Sequence, residues 1–86
     1  MSRAIKTLTI DLKAVGRRIR ELRGFDTKQS DLAKLIGVAQ SHISAVERGQ
    51  KEPSATILLR IGQLYGKSVD WLLTGLGSSP ELKGRD

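Results

Sequence analysis

Gln29-Ser30-Asp31-Leu32-Ala33-Lys34-Leu35-Ile36-Gly37-Val38-Ala39-Gln40-Ser41-His42-Ile43-Ser44-Ala45-Val46-Glu47-Arg48-Gly49 is the stretch whose reading decides how this chain folds. Leu32, Ala33 and Ile36 recur at helical spacing and mark one buried edge. Ahead of them, Asp26 or Thr27 can cap the helix, and Gln29 stands three residues after Asp26 as in a capping box. Gly37 suits the left-handed position that ends a helix. Val38 and Ala39 then leave only a tight connection before a second apolar pair, Ile43 and Val46. That second helix ends at Arg48-Gly49, because Gln50-Lys51-Glu52-Pro53 is a polar loop that cannot stay helical into Pro53.

Two short helices joined by three or four residues containing Gly form the helix-turn-helix arrangement. The flanking sequence supplies three more helices. Upstream, Leu12, Val15, Ile19 and Leu22 share one stripe at about 100° per residue, with Lys13, Arg17 and Arg20 roughly opposite. Arg18 and Arg23 flank the stripe and can reach along the domain. Downstream, Ser54 or Thr56 caps a helix whose inward face is Ile57, Leu58, Ile61, Leu64 and Tyr65, stopped by Gly66-Lys67. Ser68 caps a last short helix, Val69 to Leu73, with Trp71, Leu72 and Leu73 as a lid on the core. The expected fold is all-α with five helices over residues 11–75, preceded by an arm at 1–10 and followed by a flexible tail at 76–86. Thr7-Leu8-Thr9-Ile10-Asp11-Leu12 alternates polar and apolar residues, which is a strand signal. A lone strand has no ladder of its own. It either pairs with its copy across a dimer, lies with Arg3 and Lys6 on a partner, or is disordered.

Composition narrows the function. The chain has 86 residues, room for one small domain, and carries 15 Lys+Arg against 9 Asp+Glu. Seven basic and two acidic residues lie in 1–23, four and four in 24–53, and four and three in 54–86, so the positive excess sits at the start. Such a charge favours a duplex backbone or an anionic membrane face. The only aromatics, Phe25, Tyr65 and Trp71, cannot build the stacking platform that single strands require. With no cysteine and one histidine, no thiolate or polyhistidine metal site is expected, and no cofactor. No nucleophile–base pair or phosphate loop argues for an enzyme. The start lacks the apolar run of a signal peptide and no stretch approaches the ~20 apolar residues of a membrane span, so a soluble, cytoplasmic protein is expected.

Several separate segments agree in order and spacing with a known family: Val15-Gly16-Arg17-Arg18-Ile19-Arg20-Glu21-Leu22-Arg23, Gln29-Ser30-Asp31-Leu32-Ala33, Gly37-Val38, Ile43-Ser44-Ala45-Val46-Glu47-Arg48-Gly49, Pro53-Ser54 and Ser68-Val69-Asp70-Trp71-Leu72-Leu73. Over about 60 of the 86 residues the chain resembles the lambda-repressor-like (Cro-type) helix-turn-helix family. The resemblance implies five packed helices that bind operator DNA, usually as a two-fold dimer. It implies base contacts at Gln40, Ser41 and Ala45, and a Gln29 that reaches a phosphate and braces Gln40. It also pairs Arg23 with Glu47 as a partly buried ion pair between the first and third helices.

The chemistry of these positions can be argued separately. Ile43 and Val46 belong to the core, which leaves Gln40, Ser41, Ser44, Ala45 and Arg48 facing outward. The second helix of such a pair enters the major groove with its N-terminal residues at base edges. A glutamine amide suits adenine N6 and N7, worth roughly 1–3 kcal/mol of discrimination; Ser41 can bond either base type, and Ala45 can touch only a thymine methyl. Lys28, Gln29, His42, Ser44, Arg48 and Lys51 are candidates for phosphate or supporting contacts, which position without specifying. His42 has no acidic or second histidine partner at ligand spacing, so a metal role is not expected. The basic face Lys13, Arg17 and Arg20 reads equally well as an ordinary solvated surface.

Three features depart from the family pattern. The Arg23–Gln29 connection is about one residue short, which points to a rearranged turn around Phe25 and Asp26. Ala39 stands where Ser or Thr often caps the reading helix, forgoing roughly 1 kcal/mol. The strand-like start is the third. The expected function is a sequence-specific, double-stranded-DNA-binding transcriptional regulator, a repressor acting as a homodimer on an operator. The competing readings are an antitoxin-type regulator that also binds a toxin protein, and a protein-interaction module on the same fold.

Overall fold

A computed structural model of the protein describes residues 9–77. Five helices follow in order, with no strand among the described residues: α1 (Leu12–Arg23), α2 (Gln29–Ile36), α3 (Gln40–Glu47), α4 (Ala55–Tyr65) and α5 (Val69–Thr74). The all-α, five-helix expectation is met. Residues 1–8 and 78–86, which hold most of the expected arm and tail, lie outside the described residues.

The strand-like alternation gives way to a helix start. Thr9 and Ile10 are irregular, and the Asp11 carboxylate accepts from the Lys13 and Ala14 N–H groups at 3.1 and 3.2 Å, so Leu12 is already helical. Two donors that α1 cannot satisfy itself are thereby paired. The cap of α2 also differs from expectation. Neither Asp26 nor Thr27 caps it: Lys28 takes that position, and Asp31 reaches back to accept from the Lys28 N–H at 3.3 Å. The Thr27 carbonyl, which would accept the first helical bond if Thr27 were the cap, is instead bonded by the Arg23 Nη1 at 2.7 Å. Phe25 is left fully exposed. Ser54 and Ser68 cap α4 and α5 as read, accepting from Ile57 and Trp71.

The core is one cluster drawn from all five helices: Val15 and Ile19 of α1; Leu32, Ala33 and Ile36 of α2; Ile43 and Val46 of α3; Ile57, Leu58 and Ile61 of α4; and Leu72 of α5. Each large side chain fully buried here stabilises the fold by roughly 1.5–3 kcal/mol. Leu64, expected inward, is 43% exposed, since α4 turns that edge away from the cluster. Two arginines close helix ends. Arg18 Nη1 donates to the Leu72 carbonyl at 3.0 Å and Arg60 Nη1 to that of Ile36 at 2.8 Å, satisfying carbonyls that α5 and α2 leave unpaired.

The backbones of α1 and α3 cross in close contact. A Cβ at Gly16 would lie 2.5 Å from the Val46 carbonyl oxygen and closer still to that of Glu47, so only glycine permits this crossing. No helix among the described residues is long and apolar enough to cross a membrane.

Candidate nucleic-acid interface

The helix-turn-helix is α2, the turn Gly37–Ala39 and α3. Gly37 ends α2 in the left-handed region (φ 76°), and Val38 N–H donates to the Ala33 carbonyl at 2.9 Å. Val38 also packs against the core, so the turn is anchored by one bond and one side chain.

Packing then decides which face of α3 is left over. Ile43 and Val46 are wholly buried, Gln40, Ser41 and Arg48 are exposed, and Ser44 and Ala45 are half-exposed. The five outward positions read from the sequence therefore share one accessible face. Its start is uncapped: Ala39 makes no side-chain bond to the helix. Those first N–H groups, together with the positive end of the helix dipole, can attract an electronegative surface.

Glu47 is the buried charge behind that face, its side chain only 3% exposed. Its carboxylate accepts from Arg23 Nε at 2.7 Å, from Arg23 Nη2 at 2.8 Å and from Gln29 Nε2 at 2.8 Å. The end of α1, the start of α2 and the end of α3 are thus tied at one point. The hydrogen bond to Glu47 raises the Arg23 pKa, burial opposing it, so the guanidinium stays charged at any pH the fold survives. Tyr65 lies within the field of this pair, and burial raises its pKa first, with Glu47 adding to the rise and Arg23 opposing it. Gln29, read as a phosphate contact and a brace for Gln40, is held here by Glu47.

Along the outer edge Arg48 is ordered by its neighbours. Its Nη1 donates to Ser44 Oγ, while Nε and Nη2 donate to Gln50 Oε1 at 3.2 and 3.0 Å. Lys28 and Lys51 are exposed at the two ends of the motif. His42 is half-buried, and its Nε2 is buried with no hydrogen-bond partner, so that atom is not offered to the surface.

Sequence reasoning overlooked Gly16, Gln50 and Arg60. A glycine inside an otherwise helical pattern signals close backbone approach, and Gly16 carried that signal. Gln50 and Arg60 carried none, because their partners come from the turn geometry and from a residue 24 positions away.

The sequence model of the helix-turn-helix family matches residues 17–72, from α1 to α5, and the chain belongs to that family. Its fold is lambda-repressor-like. The P22 c2 repressor in complex with a synthetic operator is 36% identical, with a TM-score of 0.67 over 72% of this chain and 96% of that one. The restriction-modification controller protein C.AhdI from Aeromonas hydrophila is 35% identical, with a TM-score of 0.64 over 72% and 96%. The HTH-type transcriptional regulator ImmR of Bacillus subtilis is 30% identical over 70% of this chain and 48% of its own length. The chain spans less than two thirds of the length of the curated relatives it matches, from 19% to 64%.

Proposed function

We propose that this protein is a cytoplasmic transcriptional regulator, a repressor that binds operator DNA as a homodimer and reads the major groove through α3. The observation that carries this is the accessible face of α3, with Gln40 and Ser41 exposed at its first turn. A helix placed in the groove by its N-terminal end presents those two side chains to base edges. The P22 c2 repressor, matched over nearly its whole chain, is described bound to a synthetic operator, and the same use is proposed here.

In this reading the roles divide by chemistry. Gln40 reads adenine through its amide, Ser41 bonds a neighbouring base edge, and Ala45 packs on a thymine methyl. Lys28, Arg48, Lys51 and the free N–H groups at the starts of α2 and α4 meet phosphates. Ser44 supports Arg48, and Gln29 with Arg23 and Glu47 sets the angle of α3 against α2. His42 acts through packing, since its Nε2 is buried.

Selection from random duplexes tests the proposal. The expected product is a two-fold site with half-site centres about 34–36 Å apart, one helical turn. Gln40→Ala should abolish an adenine preference worth about 1–3 kcal/mol. An equal loss across all sequences would remove Gln40 from base reading, and an asymmetric single site would remove the dimer.

A further inference from the structure

Lys13, Arg17 and Arg20 form a line on α1 that packing does not explain. All three are exposed, and at spacings of four and three residues they fall within one sector of the helix. None is in an ion pair: the one salt bridge among the described residues is Arg23–Glu47. Lys13 sits in the first turn of α1, which holds no acidic residue, and a cation there opposes the helix dipole. The Asp11 carboxylate, the counter-charge nearest Lys13 in sequence, is bonded to backbone N–H groups, and the exposed Glu21 beside Arg20 forms no salt bridge with it.

The position of this line is what gives it a partner. At Gly49, the residue between Arg48 and the loop carrying Lys51, a Cβ would lie 2.7 Å from Lys13 Cγ and 2.8 Å from Lys13 Cα. The start of α1 is therefore pressed against the turn that leaves the reading helix. Its far end is tied through Arg23 to Glu47 and to Thr27, just ahead of α2. The line from Lys13 to Arg20 runs between these two anchors for about 10 Å of helix. That length covers about three axial steps of one strand at about 3.4 Å each, room for the three cations to meet separate phosphates.

We infer that Lys13, Arg17 and Arg20 are a second, sequence-blind phosphate-binding edge that extends the grip on duplex DNA beyond the reading helix. The inference rests on the proposed role of α3, which brings the Gly49 turn to the duplex. Each cation releases a counterion on binding, so the edge contributes affinity and salt dependence and no base preference.

The test is the salt dependence of binding by the full chain to its selected duplex and to a scrambled duplex, read by fluorescence anisotropy between about 50 and 200 mM salt. In Lys13→Gln/Arg17→Gln/Arg20→Gln, the slope of log K against log salt should fall by about 2.7, at about 0.9 for each phosphate no longer neutralised. Over that salt range the wild type should accordingly lose about 40-fold more affinity than the variant. Both duplexes should weaken by the same factor, leaving the site preference intact. Lys34→Gln, an exposed cation on α2, should leave the slope unchanged and controls for net charge. An undiminished slope in the triple variant, or an equal fall per charge in Lys34→Gln, overturns the α1 edge. Failure of the wild type to prefer any duplex strikes the reading helix instead, so the two failures are told apart.

Discussion

Replacing Glu47 by alanine should destabilise this protein far more than it alters any base preference. The carboxylate is the acceptor for two Arg23 nitrogens and for the Gln29 amide, all within 2.7–2.8 Å, and its side chain is 3% exposed. Truncation removes all three bonds and leaves a guanidinium that is only 14% exposed facing the space. Breaking a buried pair in this way costs roughly 3–5 kcal/mol. Part of Arg23 reaches water and it keeps its bond to the Thr27 carbonyl, which favours the lower end, about 3 kcal/mol. A domain of this size has roughly 4–13 kcal/mol in total. The loss therefore corresponds to a Tm fall of about 12–24 °C, at roughly 4–8 °C per kcal/mol. Thermal and urea unfolding followed by circular dichroism measure it, with Glu47→Met, Arg23→Met and Arg23→Met/Glu47→Met forming a closed cycle. The coupling should exceed about 1 kcal/mol, and the double variant should be more stable than Glu47→Ala, since replacing both partners leaves no stranded charge. An unchanged Tm with altered operator preference would refute the reasoning, because Glu47 would then act at the DNA and not between helices.

Three further outcomes follow from particular contacts. Gly16→Ala gains about 1 kcal/mol of helix propensity but overpacks a backbone crossing that no side chain can relax, so it should lose about 1–3 kcal/mol net in urea unfolding; equal or higher stability would mean that α1 and α3 are not in such close contact. Ala39→Ser supplies the side-chain oxygen that α3 lacks and should add about 0.5–2 kcal/mol to unfolding stability without changing the fold. Tyr65 gives an alkaline signature: its folded pKa lies above the ordinary value near 10, so the unfolded chain releases its proton first and stability falls as pH rises above that value. Tyr65→Phe should flatten that alkaline limb in urea titrations and leave stability below about pH 9 unaffected by this group's titration.

The elements and most of the core are legible in the sequence because helical periodicity and caps are local. Spacing alone places Leu32, Ala33, Ile36, Ile43 and Val46 in the core, and the serine caps of α4 and α5 need only their own first turns. The cap of α2 escapes such reading because the Thr27 carbonyl answers to Arg23, four residues back across the turn. Leu64 escapes it because a helix stripe fixes which residues share a face, while the neighbouring helices decide how wide a face is covered.

For the candidate site the division is sharper. Residue order alone determines that a helix carrying the uncharged Gln40, Ser41 and Ala45 follows a glycine turn, and that the positive charge lies upstream of it. Only the tertiary structure decides that Gln29 turns to Glu47, that His42 Nε2 is buried, and that Lys13 lies against Gly49 beside the end of α3. The physical reason is range. A periodicity or a cap involves neighbours within a few residues, whereas Gln29 and Glu47 stand 18 apart in sequence and Arg23 and Glu47 stand 24 apart. Only the packing of α1 and α2 on α3 brings such residues together.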